Sequence, residues 1–168
     1  MMLKKSLKDI FTRFKTEPEF SSEKRFSLDS ILDGKQKFKN EIIEYFNSAI
    51  INRDKELLAF CISASFKDGI DKAYIELFDK IILETWHDEH EDIVDIVCQF
   101  EDDRFTDALI EIAENPKKYR KYDDEMESTL RKCFHALKAI KTKKSQEVLN
   151  KMIESDNPNI KAILGIYK

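Results

Sequence analysis

Turn-forming residues are scarce in this chain: its 168 residues hold only three Gly and three Pro. Hairpins, sandwiches and barrels need such residues at every reversal, so a β-rich or linker-rich chain is not expected. Cysteine is equally sparse. Cys61, Cys98 and Cys133 form neither a CxxC pair nor an even disulfide framework. No apolar run approaches the roughly 18 residues of a membrane span. The charged start, Met1 to Asp9, is followed by no apolar h-region, so no signal peptide is expected. Gly-rich phosphate loops and a GxSxG elbow are missing too. These absences lead to a cytoplasmic, reduced, all-helical protein.

What the chain does have is charge and helical periodicity. Hydrophobic residues make up 42% and charged residues 37%, enough for a continuous core under a solvated surface. The net charge of -4 conceals segregation. From Glu84 to Asp103 there are nine acids and no Lys or Arg; from Arg131 to Lys168 there are nine bases against Glu147, Glu154 and Asp156. The first fifteen residues carry five bases and one acid. Such separation produces a field with sign, which steers charged partners over distances near a Debye length, about 10 Å.

Leu130, Cys133, Phe134, Leu137 and Ile140 recur at the three-and-four spacing of a buried helix stripe. Lys141 to Lys144 break it, and a second stripe runs through Val148, Leu149, Met152 and Ile153. Asn157 and Pro158 then read as N-cap and first position of a final helix. Upstream, Phe38, Ile42, Tyr45, Phe46, Ala49 and Ile50 form another stripe, and Asp54 caps the helix carrying Leu57, Leu58 and Ala59. Ile10, Phe11 and Phe14 mark a short helix broken near Pro18, and Ser22 to Asp33 another, ended by Gly34. Residues 1–35 are read as an N-terminal helical cap or extension, and 36–168 as the main domain.

The stripes repeat. Phe66, Phe100 and Ile140 each close a helix, and nine residues later stand Ile75, Leu109 and Leu149. Phe78, Ile112 and Met152 follow three residues on; Ile62, Ile96 and Ala136 lie four before the closing residue, and Ala59, Ile93 and Cys133 seven before it. The offsets are 34 and 40 residues, the longer one accommodating an expanded loop, Pro116 to Asp124. Short helix, tight turn, short helix, repeated, predicts an α-solenoid of antiparallel helix pairs, about seven to eight helices in all.

With Arg131 early in a second helix, Ala136-Leu137 late in it, and Asp156-Pro158 in the following turn, the chain resembles HEAT-type repeats of the short phycobilisome-lyase-like kind. The likeness covers residues 54–168 and departs from the pattern at the bulky Phe134 and at the long loop. It implies an architecture and names no substrate.

Trp86-His87-Asp88-Glu89-His90-Glu91-Asp92 is the cluster closest to a metal site. Its histidines are three apart, without the i, i+4 pair and intervening Glu of a metalloprotease helix, and the stretch reads as a solvated acidic helix start. No metal and no cofactor is expected. The cysteines lie in apolar stretches without an activating His, so no catalytic nucleophile is expected either. Lys117-Lys118-Tyr119-Arg120-Lys121-Tyr122 interleaves bases with aromatics but runs straight into Asp123, Asp124, Glu125 and Glu127, which interrupts a basic groove.

The acidic strip is the remaining feature. Ile93, Val94, Ile96 and Val97 supply a core side, with Asp92, Asp95 and Gln99 opposite. Nine acids without a base would repel one another, which points to a basic partner. The expected partner-binding residues are Trp86, Asp88, Glu89, Glu91, Asp92, Asp95, Gln99, Glu101, Asp102, Asp103, Asp123, Asp124 and Glu127. The expected function is non-catalytic protein binding. Its leading form is a bacterial toxin-immunity protein covering a basic, nuclease-type toxin domain, an analogy from fold and charge. A regulatory or scaffold adaptor, or a HEAT-like nucleic-acid enzyme such as a DNA glycosylase, are the alternatives. No membrane is expected among the partners.

Overall fold

The computed structural model describes residues 6–16 and 38–166, with side chains up to Gly165. Among them are ten α-helices, two one-turn 3₁₀ segments and no strand. The all-α expectation therefore holds, with more helices than the seven or eight expected. The helix foreseen at Ser22 to Asp33 and the division at residue 35 lie outside the described residues.

The chain forms two compact units, Met1–Leu77 and Phe78–Lys168. In the first, α1 (Leu7–Thr16), α2 (Lys39–Asn52) and α3 (Lys55–Asp68) pack together, with α2 and α1 both against α3. Leu7, Ile10, Ile42, Phe46, Ala49, Leu58 and Phe60 are buried there, each large one stabilising the unit by about 1.5–3 kcal/mol. Phe11 and Phe14 hold the Phe60 ring from two sides, at 5.0 and 5.3 Å. Asp54 caps α3 as expected, accepting from the Leu57 N–H at 3.0 Å. The 3₁₀ turn Lys72–Tyr74 leads into α4 (Ile75–Ile81).

In the second unit, α5 (His90–Phe100) is followed by the 3₁₀ turn Asp103–Phe105 and α6 (Thr106–Glu114). Next come α7 (Pro116–Tyr119), α8 (Ser128–Ile140), α9 (Lys143–Glu154) and α10 (Pro158–Ile166). Helix α8 is the hub, packing against α5, α6, α9 and α10. Its buried set explains why: Leu130, Phe134, Leu137 and Ile140 are bulky, while Cys133 and Ala136 are small enough to admit close neighbours. Pro158 opens α10, and the Asn157 carboxamide oxygen accepts from the Asn159 N–H at 2.8 Å, as the cap signal foretold. The segment expected to be an expanded loop contains the one-turn helix α7.

Glycine scarcity has a structural counterpart. Helices α2, α5 and α8 end on Arg53, Glu101 and Lys141 at φ 51°, 50° and 60°, where glycine is the usual residue. Among the described helices only α3 ends on glycine, Gly69 at φ 96°. Of the repeat positions, Ile75, Leu109, Leu149, Ile62, Ile96 and Ala136 are all buried, whereas Phe66 is 55% exposed.

Candidate functional site

The turn from α4 to α5 must satisfy the carbonyls that a helix C-terminus leaves without intrahelical partners. Two imidazoles do so. His87 Nε2–H donates to the Ile81 carbonyl at 3.0 Å, and His90 Nε2–H to the Glu84 carbonyl at 2.9 Å. The Glu89 N–H donates to His87 Nδ1 at 3.2 Å, fixing that ring as the neutral Nε2–H tautomer. Both histidines are buried, which corrects the expectation of a solvated helix start. Burial excludes water from the rings, and the carbonyl acceptors replace it. Their rings stack at 4.7 Å, with Trp86 edge-on to His87 at 5.0 Å and Tyr119 against His90 at 5.2 Å. Burial and the adjacent His87 push His90 down to about 4. Among the described residues no group of three or more His, Cys, Asp or Glu is placed to hold a metal ion.

Helix α5 divides as its pattern requires: Ile93, Val94, Ile96 and Val97 are buried, while Glu91, Asp92, Asp95 and Gln99 are exposed. The acidic strip is not, however, without bases. Because α8 packs on α5, Lys132 reaches Glu91 at 3.1 Å. Lys121 reaches Asp88 at 2.7 Å, and Asp107 on α6 pairs with Lys144 on α9. Bases distant in sequence fold back onto the acids, so the expected self-repulsion is partly compensated. Asp92 still has its carboxyl raised, by the protein crowding its base and by the like charges of Glu91 and Asp95, against the pull of Lys132.

Asp102 and Asp103 have local duties. The Asp102 carboxylate accepts from the Arg104 N–H at 3.0 Å and opens the 3₁₀ turn; Asp103 accepts from the Thr106 hydroxyl at 2.8 Å. Glu101, the left-handed residue ending α5, is exposed. Trp86, Asp88 and Glu89 are half-buried in the turn.

Asp123 and Glu127 are turned inward around a buried Arg120. The Arg120 guanidinium donates to the Ile112 and Ala113 carbonyls at 3.2 and 2.9 Å, and to Asp123 and Glu127 at 3.3 and 3.2 Å. Asp123 also accepts from the Thr129 N–H at 3.0 Å, capping α8. Glu127 accepts from Asn157 and Asn159 at 2.8 and 2.9 Å. Burial pushes the Glu127 carboxyl up, but those amides and Arg120 outweigh it and hold it below the usual carboxylate value. The physical reason is local: the carbonyls at the end of α6 need donors, and a buried guanidinium in turn needs carboxylates. Asp124 is exposed.

The same fold breaks up the basic-aromatic segment. Tyr119 and Arg120 are buried, Lys121 is paired with Asp88, and Lys118 sits 4.6 Å over the Tyr119 ring. Burial pushes the Cys61 and Cys133 thiols up to about 12 and raises half-buried Cys98, which leaves little thiolate at neutral pH. A cavity of about 350 Å³ lies among α6, α8, α9 and α10, lined by apolar residues including Ile110, Leu130, Val148 and Met152, with Glu114 and Lys151 its only titratable side chains.

Met126 carries no motif in the sequence, and Tyr122 reads there only as part of the basic-aromatic segment. Tyr122 and Met126 are 72% and 53% exposed, yet apolar size in a charged segment carries no periodic signal of which way it points. No protein-family model, curated protein or solved structure matches this chain.

Proposed function

We propose that the chain is a HEAT-type helical-repeat module that binds a basic protein and catalyses nothing itself. The observation that carries this reading is the outward row of α5. Asp92, Asp95, Gln99 and the capping Glu101 are exposed, and none of the three carboxylates has an ion pair among the described residues. Glu91, Asp88 and Asp107, by contrast, are matched to lysines. A fold able to neutralise several of its acids leaves these open, where they present negative potential to an approaching partner. Two-residue links reverse α2 into α3 and α8 into α9, consistent with stacked helix pairs.

The form of this function best suited to such a face is immunity against a basic, nuclease-type toxin. The carboxylates stand in for nucleic-acid phosphates and accelerate encounter. Raised thiols and a cavity holding one carboxylate and one ammonium favour binding over catalysis. The nucleic-acid alternative is disfavoured by the inward or paired state of Arg120 and Lys121.

The test is kinetic. A panel of purified basic nuclease domains is titrated with the wild-type chain and with Asp92→Lys/Asp95→Lys/Glu101→Lys. The reading expects inhibition of at least one domain, an association rate that falls with salt, and a loss of about tenfold or more in that rate on charge reversal. Association indifferent to both salt and reversal would refute it.

A further inference from the structure

We propose that Tyr122 and Met126 form the apolar anchor of a docking surface that inserts into a hydrophobic cleft on a basic protein partner. This rests on the protein-binding reading above and adds where the dissociation-limiting contacts lie.

Large apolar side chains are held out in solvent here by a loop that has little freedom to withdraw them. Tyr122 is 72% and Met126 53% exposed. The residues between and around them are anchored inward: the side chains of Arg120 and Asp123 are only 5% and 7% exposed and are tied to each other. Glu127, just beyond Met126, is bound to Arg120, Asn157 and Asn159. The Asp124 carboxylate accepts from the Met126 N–H at 2.8 Å, and the Glu125 carbonyl accepts from Asn159 at 2.8 Å, so the tip itself is fixed. Little loop entropy then remains to be lost on binding, which is the general route by which a small contact gains affinity.

The composition of the outward set specifies the partner. Tyr and Met are enriched in interface cores, and Tyr among the residues that dominate binding energy. Between them the loop exposes Asp124 and Glu125, whose carboxylates have no ion pair among the described residues. An apolar pair flanked by two open acids complements an apolar cleft rimmed by Lys or Arg. The surface is also continuous with the turn before α5. Lys121 pairs with Asp88 at 2.7 Å while its ammonium lies 5.0 Å from the Tyr122 ring centre, which seats the tyrosine beside the turn that carries Trp86.

The experiment compares three chains against the nuclease domain bound by wild type: wild type, Tyr122→Ser/Met126→Ser, and Asp92→Lys/Asp95→Lys/Glu101→Lys. Both replaced side chains of the loop variant are exposed, so circular dichroism and Trp86 fluorescence should match wild type. Expected is a dissociation rate raised about thirtyfold in the loop variant with its association rate and salt slope unchanged, and the converse in the α5 variant. A loop variant whose dissociation rate stays within about twofold of wild type, while the α5 variant associates slowly, overturns the anchor and leaves the protein-binding reading intact. Wild type that binds no basic domain overturns both. Light scattering supplies the last arm: a wild-type dimer that the loop variant converts to monomer would make a second copy the occupant and overturn the basic-partner proposal.

Discussion

His87 and His90 stack ring on ring at 4.7 Å in the buried turn before α5, each giving its Nε2–H to a backbone carbonyl. A proton on His90 would put charge in a site from which burial excludes water, against the His87 ring. Asp88 favours that proton but is paired with Lys121, whose own charge acts on His90 in the same direction as His87. The phenol of Tyr119 closes the other side of His90.

Stability should therefore fall on acidification before most carboxylates titrate. In the unfolded chain His90 takes a proton near 6.5, but in the fold only near 4. Between those values the unfolded state binds more protons, so the His90 contribution is complete above about pH 6.5 and is lost as pH drops toward 4. The loss is about 3 kcal/mol by the depth of the shift. Urea midpoints at several pH values would measure it, with His90→Phe as control. That variant forfeits the Glu84 hydrogen bond and starts lower, but its midpoint should change far less over the same interval. Equal pH slopes in the two chains would count against the histidine pair.

Arg120 is expected to be the least replaceable polar residue of the second unit. Its guanidinium serves four acceptors, two carbonyls closing α6 and two carboxylates opening α8, a fork that an ammonium cannot reproduce. Arg120→Met should cost about 3–5 kcal/mol, because Asp123 and Glu127 are left inside without their cation. Arg120→Lys should recover only a minority of the loss. The methionine variant should also lose less stability than wild type near pH 4–5, since the Arg120 contribution that holds the Glu127 carboxyl low is then gone. Denaturant titrations of both variants at neutral and mildly acidic pH test each statement.

These two arrangements mark the limit of what the residue pattern discloses. Apolar spacing placed α2, α3, α5, α8, α9 and α10, and side-chain caps at Asp54 and Asn157 fixed two helix starts, because both signals act within one or two turns of chain. Which helix lies on which is a longer-range matter. That α8 covers α5, bringing Lys132 to Glu91, follows from shape and volume across many residues and leaves no trace in either helix alone. The Pro116 to Asp124 segment reads as polar loop since two residues in every three are charged. The α6 carbonyls, invisible as side-chain pattern, join Asp123 and Glu127 in turning Arg120 inward. Even the repeat register shifts slightly. Asp71 and Asp102 both open 3₁₀ turns, ending at buried Tyr74 and Phe105, so these caps match at an offset of 31 rather than 34. Three residues are nearly one helical turn, so the apolar stripe fits either register.

The exposed row of α5 should trade stability against association. Asp92 and Asp95 are one helical turn apart, and Asp95 together with Glu91 contributes to the raised Asp92 carboxyl. Removing the Asp95 charge relieves a like-charge pair worth a few tenths of a kcal/mol on a helix surface. Asp95→Asn should therefore leave the protein equally or slightly more stable, shifting the Asp92 titration back toward its ordinary value. The same substitution removes one of three open carboxylates, so association with a basic partner should slow by a few-fold at low salt, and the difference should shrink as salt screens it. A residue kept for packing would show the opposite: lost stability with unchanged association. Thermal midpoints, carboxyl titration by NMR and association rates at two salt concentrations separate the outcomes. If Asp95→Asn destabilises the chain by more than about 1 kcal/mol, its carboxylate has a structural duty and the open-row argument fails.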